Sequence, residues 1–244
     1  MSKSTKLPDR WGQYSSLGNV VVGTRFLPFK TPLKETICRK HFQDTNHWFT
    51  PAILRKSAPM VKLVIDLTFT DRYYSATEFS NYGVNHVKIK CPGGGERLPS
   101  PELLTKFNET VLAFMKSDDG DNQEALIGVH CTHGLNRTGY FICNYMVQFC
   151  DFTPLAAFQA FETARGYEIE RGIYKMDIMQ KSDKLKVKKY PPQTPRTVNI
   201  DKSNRMHPIR YHEPSGTSYN QHKTSGSRGK KRRKHRTLAN PQIK

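Results

Sequence analysis

The chain has 244 residues, 36% of them apolar and 11% aromatic, with a formal charge of +18, which suits one domain of ordinary size and a basic appendage. No run of about 18 apolar residues occurs, which excludes a membrane-spanning helix, and the opening MSKSTKLPDR lacks the apolar stretch of a secretory signal. Five cysteines, irregularly spaced and without a CxxC pair, exclude a disulfide framework or zinc module and point to reduced thiols in the nucleus or cytosol.

Val61 to Thr68 is an apolar run following Pro59 and reads as a buried strand. Val84 to Cys91 alternates in the manner of a strand with one buried face. Ser100-Pro101-Glu102 has the cap, Pro and first-turn acid of a helix start, and Leu103, Leu104, Phe107, Val111, Phe114 and Met115 supply its apolar face. Ala125 to Cys131 reads as a third strand, running through a Gly-containing loop into a helix from about 137 to 150. Thr153-Pro154 opens another helix, which Gly166 ends. Strands alternating with helices predict an α/β fold, a mostly parallel central sheet flanked by helices, with its site at the carboxyl ends of the strands.

The domain is expected over 1–185 and a tail over 186–244. The tail holds 16 of the 39 Lys/Arg but two of the 21 acids, a local excess of +14. Rich in Pro, Ser and charge, it cannot bury enough surface to offset chain entropy and is expected to be disordered. Its charge is expected to draw the chain to polyanions, with a solubilising tail as the plainer reading. The run KKRRKHR (230–236) reads as a nuclear-import signal or an RNA-gripping arm, hence a nuclear and also cytoplasmic expectation.

His130-Cys131-Thr132-His133-Gly134-Leu135-Asn136-Arg137-Thr138 matches HCxxGxxR followed by Thr. A thiol between a strand end and a helix N-terminus sits among N–H groups and positive dipole, which favours thiolate. Thr132, His133, Gly134, Leu135, Asn136 and Arg137 can wrap N–H groups around one tetrahedral phosphate, with Gly134 permitting the turn. Arg137 adds a planar fork for two phosphate oxygens, and Thr138 can bond the sulfur as it leaves. His130 is expected to fix the loop entry through the backbone. A metal site from His130, Cys131 and His133 lacks a fourth ligand at a usual spacing, and adjacent strand residues face opposite ways. The thiolate, N–H groups and Arg137 fill every role, so neither metal nor other cofactor is expected.

HCTHGLNRTGY, together with VIDLTFTDRYY (64–74), VKIKC (87–91) and RWGQYSSLGNVVVGTRFLPFKTPL (10–33), resembles the RNA 5′-triphosphatase branch of the cysteine phosphatases, over about residues 10–185. That branch includes the triphosphatase domain of the animal mRNA-capping enzyme; the KxDG nucleophile of a guanylyltransferase domain is absent. The resemblance implies a cysteine-phosphatase fold, Cys131 as nucleophile, 132–137 as phosphate cradle, Arg137 as clamp, and Asp71 to Tyr74 near the pocket mouth. Arg72 is then a candidate for the polyphosphate, and Arg165 and Arg171 for a phosphate-binding rim, with surface ion pairs and solvated helix ends as the plainer readings. The implied partners are RNA 5′ ends carrying tri- or diphosphate, with ribonucleoprotein or RNA-processing proteins, and no membrane.

Protein phosphatases of this class carry an Asp on a mobile loop to protonate the leaving group. Here Pro92-Gly-Gly-Gly-Glu-Arg-Leu-Pro99 offers only Glu96. A tyrosine leaves as a phenolate of pKa about 10 and needs an acid; a phosphoanhydride leaves as a phosphate oxygen of pKa on the order of 6 and does not. The expected activity is therefore removal of γ and β phosphates from RNA 5′ ends, through a cysteinyl-phosphate. A dual-specificity or tyrosine protein phosphatase is the alternative, and a noncatalytic RNA- or RNP-binding protein a third. Asp66 reads as a supporting residue within a buried strand. Cys91 reads as a small buried apolar group, with a protective disulfide to Cys131 as the other reading.

Overall fold

The computed structural model describes residues 6–94 and 97–189, with side chains to 184, all within a unit spanning Met1–Thr194. Of the tail expected over 186–244, residues 186–189 are helical rather than disordered; the rest, with the disorder expected of it, lies outside the described residues, as does Glu96.

Four strands form one wholly parallel sheet: β1 (Phe26–Lys30), β2 (Val61–Asp66), β3 (Asn85–Lys88) and β4 (Leu126–Cys131), in the order β1-β4-β2-β3. Between and after them run α1 (Glu35–His41), α2 (Pro51–Ser57), α3 (Thr77–Ser80), α4 (Pro101–Met115), α5 (Asp118–Asp121), α6 (Asn136–Phe149), α7 (Pro154–Arg165) and α8 (Gly172–Lys189). Because connections cross over the sheet, both faces are covered, which is why β2 and β4 read as nearly unbroken apolar runs. Ile65, Ile127 and Val129 pack with Phe107, Phe141, Ile142 and Phe161 from α4, α6 and α7. On the other face Leu27, Phe29 and Val64 meet Ile37, Leu54 and Phe79 from α1, α2 and α3. Each such side chain contributes roughly 1.5–3 kcal/mol by leaving water.

The register matters more for function than the layers do. Asp66 stands opposite both His130 and Lys88, and Lys30 stands opposite Cys131, so one edge of the sheet gathers the polar groups. Parallel pairing makes that edge the carboxyl end of every strand, where α/β folds place their ligands.

Several local expectations change. β3 stops at Lys88, although Ile89 N–H still donates to the Asp66 carbonyl at 2.9 Å. Ser100 has the extended backbone of a cap, but its hydroxyl does not cap α4 and interacts with Glu102 instead. Met115 is 41% exposed and does not join the apolar face of α4. At α7, by contrast, Thr153 Oγ1 accepts from Ala156 N–H at 3.3 Å, and Gly166 ends the helix at φ 80°.

Candidate active site

β4 ends at Cys131, which is 4% exposed, and the chain turns through 132–135 directly into α6. Gly134 makes the turn at φ 71°; a Cβ there would lie 2.3 Å from the Phe29 carbonyl oxygen, so no other residue fits. Burial by itself pushes the Cys131 thiol up, but the Arg137 guanidinium, the Thr138 hydroxyl and the N–H groups of Thr138 and His133 outweigh it and hold the thiol below its ordinary range. The Thr138 hydroxyl is buried and makes no hydrogen bond of ordinary geometry, so its proton stays available to the sulfur on which it acts.

Arg137 is aimed rather than loose. Its Nη1 donates to the carbonyls of Leu67 (2.9 Å) and Cys91 (2.7 Å), and its Nη2 to Thr132 Oγ1 (3.2 Å). The ends of β2 and of the segment after β3 thus hold one side of the guanidinium, which restrains the fork before any phosphate arrives. Cys91 is a free thiol, 1% exposed, and burial raises its pKa against the pull of Arg137.

The loop entry is fixed from beneath. His130 is fully buried; its Nδ1–H donates to the Cys131 carbonyl at 3.1 Å, so Nε2 of the neutral ring accepts. The Tyr74 hydroxyl stands 2.6 Å from that Nε2 and also lies 3.0 Å from Asp66 Oδ2 and from His86 Nε2. Asp66 in turn accepts from Thr68 N–H and Oγ1 (both 2.7 Å) and from Lys88 Nζ (2.8 Å). Burial drives the His130 pKa down to about 4 despite Asp66 nearby. Burial opposes the Asp66 charge, yet His130 and Lys88 hold its carboxyl below the usual range. Tyr74 therefore belongs to this buried network, whereas the resemblance implied a place near the pocket mouth.

The arginines separate. Arg165 is no rim residue: it is 1% exposed and lies under the cradle. Its Nε donates to the Gly134 carbonyl (3.2 Å), and its Nη groups to the His133 carbonyl (3.0 Å), the Ser15 carbonyl (2.8 Å) and Ser15 Oγ (2.8 Å). A peptide's carbonyl and N–H point opposite ways. Drawing the carbonyls of 133 and 134 toward Arg165 therefore turns the N–H groups of Gly134 and Leu135 away from it, to the cradle side. Desolvation lowers the Arg165 pKa to about 10. Arg171 is half-buried, caps its backbone N–H on Asn136 Oδ1 (2.9 Å), and its charge is felt at Cys91 together with that of Arg137. Arg72 lies in the segment after β2, and its Nη2 donates to the Tyr73 hydroxyl at 3.1 Å.

Two cradle side chains face away from any phosphate. His133 Nε2 donates to the Asp9 carbonyl (2.7 Å), and Asn136 Nδ2 donates to Glu170 Oε2 (3.2 Å), so both contribute to the cradle through backbone alone. Glu170 also pairs with Arg10 at 2.7 Å and accepts from Tyr14 at 2.8 Å. This strap from 9 to 15 was not legible in the sequence, because its charges and aromatics carry no periodicity. Among the described residues no group of three or more His, Cys, Asp or Glu could hold a metal ion.

No family model matches the chain. The RNA/RNP complex-1-interacting phosphatase homolog of Caenorhabditis elegans is 40% identical over 185 residues, covering 74% of this chain and 78% of that protein. The human RNA/RNP complex-1-interacting phosphatase is 35% identical, over 90% of this chain and 66% of its own length. The tyrosine-protein phosphatase of Autographa californica nuclear polyhedrosis virus is 36% identical, over 70% and 98%. Among solved structures PTPMT1 shares the fold, with a TM-score of 0.51 at 16% identity over 71% of this chain and 98% of that one. The chain is a phosphatase and belongs to the family of the RNA/RNP complex-1-interacting phosphatases.

Proposed function

We propose that the protein removes the γ and then the β phosphate from RNA 5′ ends. The observation that carries this reading is the fate of the carboxyls tied to the cradle. Asp66 is ionised, enclosed and bonded to Lys88, and Glu170 is ionised against Arg10 and Tyr14. Neither has a proton to give a leaving group. The segment after β3 lacks an Asp, and its chain at Gly93 packs against the Arg137 guanidinium. Among the described residues the site therefore offers no general acid, which suits a leaving group that departs as a weakly basic phosphate oxygen.

In this mechanism the Cys131 thiolate attacks the terminal phosphorus. The S–P bond forms as the bond to the bridging oxygen breaks, and the electron pair leaves on the shortened polyphosphate. Cradle N–H groups and the Arg137 fork carry the equatorial oxygens. Water then attacks the cysteinyl-phosphate, inorganic phosphate is released, and the Thr138 hydroxyl stabilises the departing sulfur. Arg171, whose charge acts on Cys91 together with that of Arg137, would meet the next phosphate of the chain. The names of the relatives, which speak of an RNA/RNP complex, and the basic sequence from 186 onward support an RNA substrate.

The deciding assay measures phosphate release from γ- and β-labelled 5′-triphosphate RNA against a phosphotyrosine peptide, with EDTA present. RNA should be strongly preferred and EDTA without effect. Equal second-order rate constants would restore the tyrosine or dual-specificity reading, which the viral relative's name favours.

A further inference from the structure

A cavity of about 390 Å³ opens at the carboxyl edge of the sheet, on the side of α1 and α3. Its floor is the buried network already described, Asp66, Tyr74, His86 and Lys88; its walls are Lys34, just before α1, and the segment from Thr70 to Ala76. Lys34 N–H donates to the Tyr73 carbonyl at 2.7 Å, which ties the two walls together.

Its carboxylates are all engaged. Asp66 is held by Lys88 and Thr68; Asp71 pairs with Lys88 (3.5 Å) and Lys90 (2.9 Å); Glu78 accepts from the Ser75 N–H at 3.1 Å. Of its cations, Lys88 is engaged by Asp66 and Asp71, but two others are not. Among the described residues neither Lys34 nor Arg72 is paired with a carboxylate, and Arg72 Nε is buried without a hydrogen-bond partner. The Arg72 guanidinium also lies over the Tyr73 ring, 4.9 Å from its centroid, which presents a flat cationic surface.

The cavity belongs to the same strand end as the cradle. Leu67, whose carbonyl holds Arg137, precedes Thr70 by three residues, a chain distance of at most about 11 Å. A nucleotide attached to a phosphate bound at Arg137 can reach it.

We propose that this cavity is a subsite for the leading nucleotide of a single-stranded RNA, with Lys34 and Arg72 holding the phosphodiester on its 3′ side. Cations that follow the backbone, together with a guanidinium plane on which a base can stack, are means by which proteins hold single strands without reading sequence. The inference rests on the 5′-phosphatase reading and extends it from the reacting phosphates to the chain behind them.

The test compares kcat/KM on a 5′-triphosphate RNA decamer with that on inorganic tripolyphosphate, for wild type, Lys34→Ala, Arg72→Ala and Arg72→Lys. Each alanine variant should lower the RNA-to-tripolyphosphate ratio about five- to tenfold, and Arg72→Lys should recover part of it. The log–log salt dependence of KM for RNA should become shallower by about 0.7 for each phosphate that a variant no longer neutralises. Thermal melting guards against misfolding, and Lys34, which ties the walls together through its backbone N–H, keeps the test open if the Arg72 variants melt early. An unchanged ratio, or equal losses on both substrates, overturns the subsite while leaving the parent reading standing. Wild type that releases no phosphate from the RNA overturns both.

Discussion

Replacing Arg165 by Met keeps most of the buried stem and removes every donor. Ser15 is exposed and its groups return to water, but the carbonyls of His133 and Gly134 lose the partner that orients them. Each unsatisfied buried carbonyl costs about 1–3 kcal/mol, partly offset because a guanidinium need no longer be desolvated. A net loss of about 2–4 kcal/mol corresponds to a melting point lower by about 5–15 °C in a domain of this size. Catalysis should suffer separately. With the 133–134 and 134–135 peptides free to turn, two cradle N–H groups lose their aim, and losing one such donor typically costs 10² to 10³ in kcat. Partial disorder should therefore lower kcat on p-nitrophenyl phosphate by about ten- to a hundredfold. The pH profile of Cys131 alkylation by iodoacetate should move to higher pH, because the Arg165 charge acts on the thiolate. Arg165→Lys should restore the alkylation profile more fully than kcat, since one ammonium keeps the charge but cannot span three carbonyls. A Met variant that melts within 2 °C of wild type, roughly 1 kcal/mol or less, and turns over within about twofold would refute this role.

Cys131→Ser should abolish turnover while preserving the melting curve, because a hydroxyl stays protonated in the same cradle; residual hydrolysis above a trace would exclude the cysteinyl-phosphate. Arg137→Lys should lose most activity, since a point charge cannot replace the fork, and near-normal rates would contradict its assignment. Buried neutral His130, with its pKa lowered to about 4, binds no proton in the folded state where the unfolded chain does. Native stability from this group is present above about pH 6.5 and lost, by about 3 kcal/mol, as the pH falls toward 4. Urea midpoints at pH 7 and 4.5 should differ accordingly, and less so in His130→Asn. Glu96→Gln should cost less than about tenfold on triphosphate RNA, below the 10² typical of a lost acid catalyst; a larger, substrate-general loss would make Glu96 the missing acid.

The loop from Cys131 to Arg137 and the helix that follows were legible in the sequence because one short turn builds them. A strand end, a turn only Gly134 can make and a helix N-terminus are adjacent in the chain, so local geometry brings Cys131, Arg137 and Thr138 together. The buried strands over 61–66 and 126–131 were legible because burial on both faces leaves an apolar run. β1 was not, since Pro28 and Lys30 interrupt it and its place is set only by pairing with β4. Long-range packing likewise decided the arginines. Read by itself, Arg165 is the basic end of an exposed-looking helix; folding buries it against carbonyls 31 and 32 residues earlier and 150 residues earlier. Asp66, His130 and Lys88 meet because the sheet register sets three distant strands side by side, and Tyr74 completes the set from a loop. Sequence spacing can specify groups that a single turn joins; groups joined by register and crossover are specified only when the whole sheet closes.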